Sequence, residues 1–305
     1  MHDLVCYSTR RISILEKPMR PRIISLLIAT NLTQAALAQN PTLLSSFTNP
    51  APSIGDGFGY SVAAGGSGRV LIGAYREANV GAAYLFSSTG TLLSTFTNPT
   101  PGADDNFGNS LAAVGNDRVI IGAYHDETKA SDAGAAYLFS AAGLLLKSYF
   151  SPRPAAGDQF GCAVAALGND RVVIGAYYNN IGTGAAYLFG TNGTLLTTFT
   201  NPMPAQFDFF GYAVASVGND RVLIGAHQDD TAALKAGAAY LFSTNGALLT
   251  TFTNHTPKVN QRLGYSVAAL GSHRVLIGTP YDSNVAVGDG PWCAETHLIP
   301  CKAAA

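Results

Sequence analysis

The nine residues GNDRVLIGA at Gly218–Ala226 recur almost unchanged in the same chain, as GNDRVIIGA at Gly115–Ala123 and as GNDRVVIGA at Gly168–Ala176. A Phe-Gly pair precedes each of these stretches. The five pairs, the last one degenerate, begin at Phe58, Phe107, Phe160, Phe210 and Leu263. Successive pairs are 49, 53, 50 and 53 residues apart. A period of this length is typical of propeller blades, in which each repeat is one supersecondary unit.

Each repeat contains four apolar segments, which in the second repeat read FGNSLAAV, RVIIGAY, GAAYLFS and LLLKSYF. They are short, rich in β-branched and aromatic residues and bounded by turn residues, which indicates strands rather than helices. The turn triplets GND and TNG tolerate positive φ, so neighbouring segments are predicted to be antiparallel hairpin partners. The sequence therefore predicts an all-β fold, a β-propeller of about five four-stranded antiparallel blades.

All length variation between repeats lies in the connection from the second strand to the third. From the Ala of IGA to the Gly of GAA this connection spans 7, 11, 8 and 11 residues, and the rest of every repeat is 42 residues long. In a four-stranded meander this loop emerges on the same face as the connection to the next blade. Variation confined to one face often marks a binding side, although unconstrained drift of the loops would give the same pattern.

The FG, IGA and GAAYLF elements resemble the FG-GAP repeats of integrin alpha-chain propellers, and the resemblance runs from about Thr42 to Asn284. Integrin-type repeats often carry a DxDxDG calcium loop between the first two strands, whereas this chain has GGSG, GND or GSH there. A lone Asp117, Asp170 or Asp220 cannot supply the six to eight oxygens that calcium takes. The resemblance is therefore to the bacterial branch without calcium loops, and we expect neither a metal nor another cofactor.

The two ends of the chain differ from the repeats. From Met19 the sequence MRPRIISLLIATNLTQAALAQN has the basic region, apolar region and A-x-A site of a secretory signal. We expect residues 1–18 to be an over-extended start, 19–38 a signal peptide, 39–284 the propeller and 285–305 a tail outside the repeat. A change of reading frame or true divergence would explain the tail equally well, and Cys293 and Cys301 within it could form a disulfide. Residues 42–48, TLLSSFT, could pair as the outer strand of the last blade.

The expected ligand site is on the variable-loop face. Aromatic and imidazole residues directly follow IGA, and polar or aromatic residues come next. These candidate binding residues are Tyr75, Arg76, Tyr124, His125, Tyr177, Tyr178, His227 and Gln228. Such side chains suit stacking on sugars or anchoring a protein partner. The alternative, which the pattern favours, is that they end the second strand and cover the blade edge. Four carboxylates, at Asp56, Asp105, Asp158 and Asp208, could ring the axis around a cation or accept backbone N–H bonds in turns.

Composition narrows the class of function. Charged residues make up 12% of the chain, against roughly 25% in an average soluble protein, and the formal net charge is −1. Nucleic-acid binding is therefore not expected, because it needs clustered Lys and Arg. The apolar run that begins at Ile23 is too short to anchor the chain as an integral membrane protein, and Asn31, Thr33 and Gln34 interrupt it. We expect a secreted or cell-surface module that binds an extracellular carbohydrate or protein. The alternatives are a structural surface component without a specific ligand and, less favoured, a glycan-active enzyme, for which no convergent catalytic residues are evident.

Overall fold

A computed structural model of the protein describes residues 44–281 and the backbone of residues 295–300. The predicted over-extended start, the predicted signal peptide and the rest of the predicted tail lie outside these residues. Within them the strands form five antiparallel sheets, and every sheet consists of strands that are consecutive in the chain. The predicted all-β fold of propeller blades is confirmed.

Four of the sheets are complete four-stranded blades. Blade one consists of β1 (Phe58–Gly65), β2 (Arg69–Ala74), β3 (Ala82–Ser87) and β4 (Leu92–Thr97). Blade two consists of β5 (Ser110–Val114), β6 (Arg118–Ala123), β7 (Ala135–Ser140) and β8 (Leu145–Tyr149). Blade three consists of β9 (Phe160–Leu167), β10 (Arg171–Ala176), β11 (Ala185–Gly190) and β12 (Leu195–Thr200). Blade four consists of β13 (Phe210–Val217), β14 (Arg221–Ala226), β15 (Ala238–Ser243) and β16 (Leu248–Phe252).

Blade five has three described strands, β17 (Ser266–Leu270), β18 (Arg274–Thr279) and β19 (Glu295–Pro300). The third strand belongs to the tail that the repeat pattern leaves unassigned. It pairs with β18 in antiparallel register, in the place that the YLF strand occupies in the other blades. The only helical turns among the described residues are a 3₁₀ turn at Glu77–Asn79 and a one-turn helix, α1, at Asn179–Gly182. Both lie in connections between the second and third strands.

The hydrophobic core lies between neighbouring blades. One cluster joins Leu85 and Phe96 of blade one to Phe107, Ile121 and Phe139 at blade two, and equivalent clusters recur between blades two and three and between blades three and four. A ring on the fourth strand packs on a ring of the next blade's third strand. The centroids are 5.4 Å apart in all three pairs, Phe96–Phe139, Tyr149–Phe189 and Phe199–Phe242. Burial of these side chains, about 1.5–3 kcal/mol each, stabilises one blade against the next.

Close approach between blades explains the two glycines of the FG and IGA motifs. A Cβ added to Gly175, in β10, would lie 2.0 Å from the carbonyl oxygen of Gly211 in blade four. Gly211 itself has φ +89°, and a Cβ there would lie 2.2 Å from the carbonyl oxygen of Ala185. Neither position therefore has room for a side chain. The same pair of glycines meets at three further junctions, Gly73 with Gly108, Gly122 with Gly161 and Gly225 with Gly264.

The variable loops and the connections between blades lie on one face, as the meander predicts. Each loop ends at a glycine that forms a parallel bridge with the first residue of the next repeat. These bridges are Gly81–Phe107, Gly134–Phe160, Gly184–Phe210 and Gly237–Leu263. The tight turns between first and second strands and between third and fourth strands therefore lie on the opposite face. We call the first of these the variable-loop face.

The segment before blade one resembles an outer strand in its contacts, although it is not a strand. Residues 44–49 have no regular secondary structure, so the predicted pairing of residues 42–48 is not seen in the part of that segment that is described. However, the Ser45 hydroxyl donates to the Ser88 carbonyl at 2.8 Å, as the Ser94 hydroxyl on β4 donates to the Ala141 carbonyl at 2.6 Å. The ring of Phe47 lies 5.5 Å from that of Phe86. The segment thus packs on blade one in the way that each fourth strand packs on the next blade.

Candidate functional site on the variable-loop face

A cavity of about 650 Å³ lies on the axis of the five blades. Its wall comes mainly from the first strands, and every blade contributes the three residues that follow its FG or LG pair. Those residues are Tyr60, Ser61, Val62, Asn109, Ser110, Leu111, Cys162, Ala163, Val164, Tyr212, Ala213, Val214, Tyr265, Ser266 and Val267, and Tyr124 and Tyr177 complete the wall. The cavity falls within the size range of small-molecule sites in proteins.

Every blade contributes one tyrosine to this cavity, but from two different positions in the repeat. Blades one, four and five use the residue after the FG or LG pair, Tyr60, Tyr212 and Tyr265. Blades two and three have the smaller Asn109 and Cys162 at that position. There the tyrosine after IGA lines the cavity instead, as Tyr124 and Tyr177. The repeat thus keeps one ring per blade around the axis.

In blades one and four, the tyrosine after the FG pair covers the residue after IGA. Tyr60 packs on Tyr75 with centroids 4.4 Å apart, and Tyr212 packs on His227 at 4.3 Å. His227 is only 4% exposed and also meets Tyr265 at 5.2 Å. Tyr75 and His227 therefore support the wall from behind rather than forming its surface.

The cavity is uncharged. None of the residues lining it is Asp, Glu, Lys, Arg or His. Burial raises the pKa of Tyr124, Tyr177 and Tyr212, and the other tyrosine hydroxyls around the axis raise it further, so these hydroxyls stay protonated at neutral pH. Burial likewise lowers the pKa of His227 to about 4, with Arg262 adding to the effect. The wall therefore offers neutral hydroxyl groups, one amide and aromatic rings.

The second member of each predicted pair lies further from the axis. The Arg76 guanidinium stands over the Tyr75 ring at 5.0 Å, and His125 packs on Tyr124 with centroids 4.1 Å apart. His125 also meets the Asn106 amide nitrogen through Nδ1 at 2.9 Å. Tyr178 is 37% exposed, whereas Gln228 is half-buried and its backbone N–H donates to the Asp208 carbonyl at 3.3 Å. The structure thus brings the eight predicted residues to one face, but only Tyr124 and Tyr177 line the cavity.

Sequence reasoning missed the residue after the FG or LG pair. Tyr60, Tyr212 and Tyr265 occupy this position in three of the five repeats, a pattern that would have indicated an aromatic ring around the axis. It also missed Phe207 and Phe209, which extend the rings outward from Tyr177. No equivalent aromatic residues occur in the other repeats, so their role does not follow from periodicity.

The repeated aspartates before the FG pairs serve in turns. Each carboxylate accepts a hydrogen bond from the backbone N–H of the residue three positions earlier in the chain. The donors are Ser53 for Asp56, Gly102 for Asp105, Ala155 for Asp158 and Ala205 for Asp208. Gln261 accepts the same bond from Lys258 in blade five, at 2.6 Å. All five side chains are buried. Of the two hypotheses for these residues, the structure supports the turn.

Blade four places a second carboxylate beside Asp208. The Asn201 amide donates to Asp208 at 2.8 Å and to Asp229 at 3.0 Å, while the Tyr240 hydroxyl donates to Asp229 at 2.6 Å. Burial raises the pKa of Asp208 to about 6, and repulsion from Asp229 contributes to the rise. Over the described part of the chain, no three His, Cys, Asp or Glu side chains are grouped so that they could hold a metal ion. This pair therefore forms a buried hydrogen-bonded network.

Comparison with known proteins agrees with the architecture. A family model described as FG-GAP repeat matches the chain at residues 47–86, 94–139, 154–189 and 200–242, together more than half of its length. A search of curated proteins finds no match. Among the described residues, no helix has the length and apolar character needed to cross a membrane.

Proposed function

Because the chain belongs to the FG-GAP repeat family and forms a β-propeller, we propose that it is a binding module, secreted or displayed at the cell surface. Its ligand is an extracellular carbohydrate or protein, bound on the variable-loop face. The extracellular location rests on the signal-like sequence of residues 19–38.

The axial cavity is the observation that carries this proposal. It is open, uncharged and lined by one tyrosine from each of five blades. Binding sites typically combine aromatic surface with a few convergent polar groups, and the tyrosine hydroxyls, the Ser hydroxyls and Asn109 supply such groups here. The variable loops also emerge around this end of the axis, so a ligand in the cavity would have neighbouring surface that differs from blade to blade.

The chemistry of the wall favours binding over catalysis. Hydrolysis of glycosides or esters requires an acid–base pair or an activated nucleophile at the reacting atoms. The cavity wall supplies phenols, hydroxyls, an amide and the Cys162 thiol, whose pKa burial raises to about 12. Burial also raises the pKa of the Tyr124, Tyr177 and Tyr212 phenols, so these groups donate and accept hydrogen bonds without changing protonation near neutral pH. We therefore propose a non-catalytic role.

An array of glycans and extracellular matrix proteins tests the proposal. We expect purified protein to give saturable binding to at least one immobilised ligand, and Tyr177→Ala to weaken it at least tenfold while thermal melting shows an intact fold. Leu144→Ala is the control, because Leu144 is 67% exposed in the β7–β8 turn on the opposite face. Absence of any saturable ligand would favour a structural surface component. If Leu144→Ala abolished binding and Tyr177→Ala did not affect it, the site would lie on the face opposite the variable loops and the proposed site would be refuted.

A further inference from the structure

Two backbone positions before each FG or LG pair have left-handed conformation in every blade. They lie three residues and one residue before the Phe or Leu, with φ between +55° and +86°. The pairs are Gly55 and Gly57, Asp104 and Asn106, Gly157 and Gln159, Phe207 and Phe209, and Asn260 and Arg262. Glycine adopts this conformation freely, and Asn and Asp are enriched in it, whereas a bulky residue there is a true outlier.

Blade four places phenylalanine at both of these strained positions. Phe207 has φ +67° and Phe209 has φ +58°. Burial of Phe207 does not explain the choice, because its side chain is 44% exposed. Strained backbone held at a surface is often associated with function. The departure from the other four repeats thus singles out these two rings.

Phe207, Phe209 and Tyr178 form one aromatic surface, which we call the aromatic shelf. Tyr178 stacks on Phe209 with centroids 5.9 Å apart and meets Phe207 at 6.3 Å. The loop that carries Tyr178 is tied to this surface, since the Phe209 N–H donates to the Gly182 carbonyl at 2.8 Å. A Cβ on Gly182 would lie 2.9 Å from the Phe209 ring. The shelf is therefore held by close packing between the α1 loop and blade four.

The shelf is continuous with the axial cavity. Phe209 meets Tyr177, a cavity residue, with centroids 5.3 Å apart, and Tyr177 meets Tyr212 across the cavity wall at the same distance. Exposed and half-buried rings thus lead from the connection between blades three and four to the axis. A ligand that occupies both surfaces must be elongated and must present apolar faces with hydroxyl groups between them.

We propose that the ligand is a neutral oligosaccharide, with a terminal sugar in the axial cavity and a neighbouring sugar stacked on the aromatic shelf. This inference rests on the proposed function and names the ligand class for the same site. A pyranose ring has an apolar C–H face that packs on aromatic rings and equatorial hydroxyls that exchange hydrogen bonds with neutral phenols and amides. The cavity provides that combination, and the shelf provides three aromatic rings and the Tyr178 hydroxyl.

The distribution of charge argues against acidic ligands. Sulfated or uronic-acid glycans would require Lys or Arg at the contact surface. The cavity wall has neither. Three basic side chains at this face stand over aromatic rings that do not line the cavity: Arg76 over Tyr75 at 5.0 Å, Lys129 over Phe150 at 4.7 Å and Arg262 over Tyr281 at 4.8 Å. These cations are thus directed at protein rings outside the cavity.

An oligosaccharide array that pairs neutral glycans with their sulfated and uronic-acid counterparts, together with matrix proteins, tests the ligand class. We expect binding to neutral glycans of two or more sugars, loss of affinity for the charged counterparts, and little change between low and high salt. Binding only to a protein, or only to acidic glycans, would overturn the inference. A protein ligand that is lost in Tyr177→Ala would nevertheless leave the proposed function standing, whereas no ligand of any class would remove both.

Substitution at the shelf tests the second contact. Phe207→Gly removes the ring and supplies the residue that blade one has at this position, so we expect an intact fold and affinity for the bound glycan at least about tenfold lower by calorimetry. Phe207→Asn, the residue of blade five, should do the same, and Asn260→Gly at the equivalent position is the matched control with unchanged affinity. Unchanged affinity in both Phe207 variants would overturn the shelf contact. Unfolding of both would show that the ring serves the fold and would overturn it as well.

Discussion

Replacing Gly175 with Ala tests the blade contact on which the fold depends. Gly175 lies in β10 of blade three and faces the backbone of Gly211 in blade four. The added Cβ would lie 2.0 Å from the Gly211 carbonyl oxygen and 3.1 Å from its carbon. An ordinary contact between these atoms is about 3.4 Å or more. The two blades must therefore separate by more than 1 Å at this point, since neither partner is a side chain that can rotate away.

The cost follows from two opposing effects. A Gly-to-Ala change at a position with ordinary strand dihedrals normally stabilises a protein by about 0.4–1 kcal/mol through the unfolded chain. Overpacking in a rigid core costs about 1–3 kcal/mol, and more where backbone has to move. We expect the second effect to dominate at the upper end of its range, so the net loss in free energy of unfolding should be about 2 kcal/mol. For a chain of this size that corresponds to a fall in Tm of about 4 °C.

Gly190→Ala is the matched control, measured beside Gly175→Ala by circular dichroism melting and urea unfolding. Gly190 lies in β11 of the same blade, and a Cβ there would meet only the end of the Asn192 side chain, at 2.6 Å. The other complete blades carry Ser87, Ser140 and Ser243 at this position, so a Cβ is tolerated. We expect its Tm to lie within about 2 °C of the parent. Equal melting of the two variants would refute the argument that the IGA glycine is required by close blade contact.

Three further changes probe the buried network and the first blade. Asp208→Asn should raise the free energy of unfolding by about 1–3 kcal/mol at pH 7.5 and much less at pH 4. The reason is that Asp208 in the folded protein keeps its proton up to about pH 6, and the folded protein loses stability as the pH rises through that value and the carboxyl ionises. Equal gains at both pH values in urea titrations would contradict this. Tyr240→Phe removes the hydroxyl that donates to Asp229 and should cost about 1.5–3 kcal/mol with an unchanged urea m-value. Phe47→Ala should cost about 2 kcal/mol through the lost contact with Phe86, while Leu44→Ala, at a side chain that is 91% exposed, should stay within about 0.5 kcal/mol; an equal effect of the two would show that the segment does not pack as an outer strand.

The architecture could be predicted from the sequence because its signals are local and repeated. Strand segments, tight turns and the constant 42-residue part of each repeat follow from residue types and spacing alone. The glycines at Gly175 and Gly211 are visible in the sequence, but the reason for them is a contact between blades, in which a Cβ on Gly175 would lie 2.0 Å from the Gly211 carbonyl oxygen. Similarly, β19 lies where the repeat pattern has ended, so its pairing with β18 depends on long-range register rather than on motif.

The candidate site was predicted less completely, for a geometric reason. Spacing indicates which residues follow IGA, but not whether another ring stands between them and the axis. Tyr75 and Tyr177 occupy the same repeat position, yet Tyr60 covers the first and the smaller Cys162 leaves the second exposed to the cavity. Phe207 and Phe209 could not be predicted from the repeat pattern, because the other repeats have different residues at these positions. Their meaning depends on backbone dihedrals that the other repeats satisfy with different residues.

The cavity tyrosine comes from one repeat position in some blades and from another in the rest, and this difference affects which ligands the site can bind. Five identical tyrosines at one repeat position would give a nearly symmetric ring, suited to a ligand that lies along the axis. Because blades two and three take their tyrosine from the position after IGA, Tyr124 and Tyr177 reach the cavity from positions different from those of Tyr60, Tyr212 and Tyr265. The shelf lies on only one side, at blade four. Although the blades are almost identical, the axial surface is therefore asymmetric. We expect such a surface to bind a chain-like ligand in one direction across the face.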